Sequence, residues 1–149
     1  MSDSTPTRFF VRHAEPLQNA GDDPELSAAG TARAEALAEM LRHFAIGVII
    51  VSSKLRTQRT AKPLAQDLEI TPEIVLDDPL HLEPHVAAVL AKLNALPEAT
   101  NALIIGHTTT VPTIICRLGG PQLATILENE FDNLFVMAGG CLVHLHYHP

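Results

Sequence analysis

The stretch Phe9-Phe10-Val11-Arg12-His13-Ala14-Glu15 decides how the chain is read. A short apolar run ends abruptly in an arginine and a histidine. The pattern returns twice: Val48-Ile49-Ile50-Val51 passes into Ser52-Ser53 and then Arg56, and Leu103-Ile104-Ile105 passes into Gly106-His107. Apolar runs of this length read as strands buried in a parallel sheet. Parallel strands direct their carboxyl ends to one edge, and that edge is where open α/β sheets bind ligands. Two arginines and two histidines gathered there suit a small, multiply charged anion, above all a phosphoryl group.

Working outward, the segment from Ala14 to Glu25 is rich in Pro, Gly, Asn and Asp and reads as a binding loop. Ser27 then serves as N-cap of a helix whose apolar positions Ala34, Leu37, Ala38, Leu41 and Phe44 keep helical spacing. A second helix spans about residues 56 to 68, and residues 72 to 76 read as a short strand near a sheet edge. The acidic loop 77–84 leads to a third helix over about 84 to 96, carrying Val86, Val89, Leu90 and Leu93 on one face. Thr110 is placed as the cap of a fourth helix with Pro112 in its first turn. Residues 133–137, the Gly139-Gly140 turn and residues 142–146 read as a closing hairpin. Strands alternating with helices predict an α/β fold, a three-layer α/β/α sandwich with a mostly parallel central sheet, and a single domain over residues 1–149.

Composition narrows the function classes. An apolar fraction of 46% excludes a disordered chain, and no apolar run approaches the length of a membrane span. The polar segment Met1 to Thr7 does not read as a signal peptide, and the expectation is a cytoplasmic protein. Cys116 and Cys141 both lie among apolar residues and are expected as buried, reduced thiols. A formal charge of −7 without a basic tract argues against nucleic acid as partner, while leaving local cations free to hold phosphate.

Taken singly, each of the four basic residues has an ordinary explanation: a hydrogen-bonded surface histidine, a solvated arginine in a first helical turn. Together at strand ends they form a reaction centre. The guanidinium of Arg12 offers a fixed fork to two phosphate oxygens, and a neutral imidazole at His13 within reach of phosphorus can attack it to form a phosphohistidine. Arg56 and His107 would neutralise the equatorial oxygens as the old bond breaks.

These residues resemble the histidine phosphatase superfamily, with its phosphoglycerate-mutase-like fold, nearly end to end. Arg12-His13-Ala14-Glu15 is similar to the Arg-His-Gly-Glu signature, and Leu26-Ser27-Ala28-Ala29-Gly30 to the Leu-Thr-x-x-Gly helix start. Ser52, Arg56, Thr57, Thr60 and Ala61 resemble the Ser-x-x-x-Arg-(Ala/Thr)-x-x-Thr-Ala element, and Gly106-His107 the second histidine motif. The resemblance implies His13 as nucleophile and Arg12, Arg56 and His107 as the phosphate pocket, with Asn19 as a further phosphate contact. Two departures stand out. Ala14 replaces the signature glycine, so the turn there is expected to keep negative φ. The proton donor, commonly a Glu or Asp in a Leu-x-Glu context, has no clean copy in the 77–83 loop. Glu83 is the first choice by its distance past Arg56, with Asp78 and His81 behind it.

The alternating His144, His146 and His148 invite a metal reading, but no neighbouring cysteine or carboxylate completes a ligand set in the sequence, and no metal or cofactor is expected. The apolar C-terminal strand offers an edge to a second copy. Without the long insertions that cover the site in mutases, hydrolysis outranks phosphoryl return. The expected activity is a phosphatase acting on a small phosphomonoester or on a phosphohistidine protein, as the small SixA-type members do. The alternatives are a phosphate-binding or scaffolding member with turnover lost, or a phosphomutase.

Overall fold

The computed structural model describes residues 5–149; the first four residues of the Met1–Thr7 leader lie outside them. Six strands form one sheet in the order β3-β2-β4-β1-β5-β6. They are β1 (Thr7–Arg12), β2 (Ile46–Ser52), β3 (Glu73–Val75), β4 (Asn101–Gly106), β5 (Asn133–Ala138) and β6 (Cys141–His146). The first four run parallel, and β5 and β6 close the sheet as an antiparallel hairpin beside β1. The helices are α1 (Ala28–Leu41), α2 (Leu55–Leu68), α3 (Leu82–Asn94) and α4 (Thr110–Arg117).

Both faces of the central strands are covered, which is why these runs are apolar throughout rather than alternating. Phe9, Val11, Ile49, Leu103 and Ile105 pack with Leu37, Leu41 and Leu64 of α1 and α2. Phe10, Ile50 and Ile104 pack on the other side with Val86, Val89 and Leu93 of α3 and with Ile114 and Ile115 of α4. The sandwich expected from the sequence is the one observed.

Boundaries moved where local chemistry outweighed pattern. Helix α1 begins as Ser27 predicts, the Ser27 hydroxyl accepting from the Gly30 amide at 3.1 Å, but it stops at Leu41. Phe44 lies beyond it, half exposed, with its ring edge against Phe9. Helix α3 starts two residues earlier than the proline suggested, at Leu82. Thr110 is the first residue of α4 rather than its cap, and its hydroxyl accepts from the His107 amide at 2.9 Å. Both cysteines are free, but they are exposed instead of buried: Cys116 on the last turn of α4, Cys141 at the start of the sheet-edge strand.

Candidate active site

Each of the four parallel strands delivers a polar group at its carboxyl end. Strand β1 ends in Arg12 and is followed by His13; β2 ends in Ser52, with Arg56 in the first turn of the helix that follows. Strand β4 is followed by His107, and Asp77 lies two residues past the end of β3. Arg12, His13, Arg56, Asp77 and His107 all line one cleft of about 580 Å³. That volume exceeds a phosphate and accommodates a small leaving group beside it.

His13 is held in one tautomer. Its Nδ1 lies 2.8 Å from the Ala14 carbonyl, an acceptor only, so Nδ1 carries the proton. Its Nε2 accepts from Arg56 Nε at 3.3 Å and therefore presents a lone pair. Burial first, then Arg12 and Arg56, push the imidazole down to about 3, so it is neutral throughout the ordinary pH range. The His107 ring lies 5.3 Å from that of His13 between centroids. Its Nε2 is 2.9 Å from the Ser52 hydroxyl and 3.7 Å from an Asp77 carboxylate oxygen. Burial, with His13 and Arg56 adding to it, also holds His107 well below the usual imidazole range.

Arg12 is nearly buried and anchored from behind. Its Nη1 donates to the carbonyls of Leu127, Glu128 and Glu130, and the guanidinium lies 4.1 Å over the Phe131 ring. Its Nε is buried and has no hydrogen-bond partner among the described residues. The strand-to-loop turn is fixed as tightly. The Ala14 amide donates to Thr60 Oγ1 at 2.8 Å, and the His13 amide to the Gly106 carbonyl at 2.9 Å. Ala14 keeps negative φ, so the missing signature glycine costs no backbone strain.

Two sequence choices are not brought to the cleft. Glu83 faces solvent from the first turn of α3 and is paired with Arg117 of α4 at 2.6 Å. The early start of α3 turns it toward its neighbouring helix instead of the phosphate pocket. Asn19 is exposed, in the left-handed region with φ 55°, and does not line the cleft. Asp78 reaches only the rim, where it bonds His81 at 2.8 Å; His81 itself is outside the lining. The residue that the sequence reading passed over is Asp77, whose side chain is 10% exposed. Its signal was present: an acid two residues beyond a parallel strand, as His13 and His107 also follow theirs.

At the far end of the chain, Asp132 approaches His146 at 3.1 Å and His148 at 3.9 Å, while His144 bonds Asn133 and stacks on Phe135. Among the described residues no group of three or more histidine, cysteine or acidic side chains is arranged to hold a metal ion, and no helix is long and apolar enough to cross a membrane.

A sheet-edge cleft lined by two arginines and two neutral histidines offers the groups that suit an oxyanion, on a phosphoglycerate-mutase-like sandwich. Residues 9–81 match the model of the histidine phosphatase superfamily (branch 1). Among solved structures it is similar to the protein histidine phosphatase SixA complexed with tungstate, at 18% identity over 95% of this chain and 96% of that one, TM-score 0.68. It is also similar to a mycobacterial glucosyl-3-phosphoglycerate phosphatase, at 15% identity over 89% of each chain, TM-score 0.68. At such identities these structures share the fold. No curated protein matches the chain in sequence.

Proposed function

We propose that the chain is a phosphatase that works through a phosphohistidine on His13, with no metal or cofactor in the scheme. The observation that carries the reading is the Nε2 lone pair of His13, fixed by the Ala14 carbonyl on the opposite nitrogen and set beside Arg56 in the cleft. In the first step an Nε2–P bond forms as the bond to the leaving oxygen or nitrogen breaks. The His13 ring becomes cationic while still donating through Nδ1, and Arg12, Arg56 and His107 balance the charge on the phosphoryl oxygens. Arg56 exchanges its bond to His13 for one to phosphate. Asp77 replaces Glu83 as the proposed donor: it protonates the leaving group, then takes the proton of the water that attacks the phosphohistidine. Inorganic phosphate leaves and the starting imidazole returns. The match of residues 9–81 to the histidine phosphatase model and the fold shared with SixA and another phosphatase support this activity class.

The test is hydrolysis of p-nitrophenyl phosphate by the native chain and by His13→Ala, with acid-labile labelling of the protein by a slow substrate as the second readout. Turnover and labelling in the native chain alone are expected. Turnover that survives the substitution would remove His13 as nucleophile. Phosphate binding without turnover of any phosphoester or phosphoramidate would favour a binding or scaffolding role.

A further inference from the structure

The cleft is layered by charge. Its floor carries Arg12 and Arg56, yet its mouth is acidic, and the acids come from three separate loops. Asp22 stands on the loop after β1, Asp78 on the loop after β3 and Glu128 on the loop before β5. All three are exposed. Among the described residues Asp22 has no hydrogen-bond or ion-pair partner. Glu128 is 92% exposed, and its nearer carboxylate oxygen is 3.6 Å from Arg12 Nη2. Lys54 is the sole cation among the lining residues outside the floor, and Asp78 lies close enough to offset it.

A phosphoryl group on the floor is held by the two arginines. Whatever is attached to that phosphate then projects through a ring whose balance is negative. A second phosphate or a carboxylate would meet like charge at the mouth, whereas an ammonium would meet the carboxylates of Asp22 and Glu128. We infer that the enzyme selects phosphorylated substrates whose leaving group carries a positive charge, such as a phosphorylated amino alcohol, and discriminates against bisphosphates and phosphorylated acids. This inference rests on the phosphatase reading of the same cleft. The rim charges are solvated, so each contributes modestly and is screened by salt. Summed over the ring, the preference is expected to reach about tenfold between opposite charges at low ionic strength.

Three compounds of equal size separate the outcomes: O-phosphoethanolamine, ethyl phosphate and phosphoglycolate. The expected order of kcat/KM is ammonium over neutral over carboxylate, with the span shrinking in high salt and in the Asp22→Asn/Glu128→Gln double variant. Equal values for all three, or phosphoglycolate as the best substrate, would overturn the inference. Calorimetric dissociation constants for the same compounds read the charge preference without turnover. Ordered binding with no hydrolysis would therefore retain the inference and refute the phosphatase reading alone.

Discussion

At the scale of single residues, the site separates two carboxylates that look interchangeable in sequence. Asp77 is enclosed beside His107, while Glu83 is exposed and tied to Arg117. A general acid matters in proportion to how badly the departing atom needs a proton. Asp77→Asn should therefore lower kcat/KM, which reads formation of the phosphoenzyme alone, by about 10²–10⁴-fold for an alkyl phosphate and by much less for p-nitrophenyl phosphate, whose leaving group departs as an anion. Glu83→Gln should leave both rates within about twofold, since surface pairs of this kind contribute little. Steady-state kinetics of the two variants on the two substrates would decide between the carboxylates. Equal losses on both substrates in Asp77→Asn would reduce that residue to a structural part.

Elements carry the next level of constraint. Helix α1 begins against the carbonyl of Glu15, which accepts from both the amide and the hydroxyl of Ser27. Gly30 packs so closely there that a Cβ would overlap the Glu15 carbonyl oxygen. In an open helix Gly→Ala stabilises by about 1 kcal/mol. Here the overlap opposes that gain and exceeds it, so Gly30→Ala should destabilise the fold by about 1–3 kcal/mol, measured by urea unfolding. It should also impair catalysis, because Glu15 stands two residues from His13. The same scale shows what could be read in advance. Residues 9–11, 48–51 and 103–105 are apolar enough on both faces to declare a parallel sheet, and each leads to a side chain that lines the cleft. Strand β3 is only three residues long and has a single buried position, so it lacks a pattern that would mark Asp77 as a strand-end residue. Spacing from Arg56 favoured Glu83, but spacing does not fix where a helix starts, and an offset of two residues redirects a side chain by more than half a turn.

For the whole molecule, the two buried imidazoles couple stability to pH. Unfolded, each takes up a proton near its ordinary value of 6.5; folded, His13 does so only near 3, and His107 is likewise lowered. The unfolded chain thus binds more protons between these limits. Stability is complete above about 6.5 and is lost as the pH falls toward 3, at up to about 1.4 kcal/mol per unit for each fully shifted group. The urea midpoint should drop between pH 7 and pH 4.5, and it should drop less in a His13→Gln/His107→Gln variant. An identical pH dependence in that variant would assign the acid sensitivity to the carboxylates. The Arg33 side chain, nearly buried, joins the Glu15 carboxylate at 2.7 Å to the Tyr147 carbonyl at 2.8 Å, so the turn beyond His13 is braced by the far end of the polypeptide.

That brace has a consequence for biosynthesis. Tyr147 lies 114 residues beyond Arg33, and its carbonyl meets that side chain only after all six strands have been made. A ribosome-bound precursor halted before β4 also lacks His107. Nascent chains that stop short of Tyr147 should therefore be chemically silent, and competence should arrive only once that residue has met Arg33.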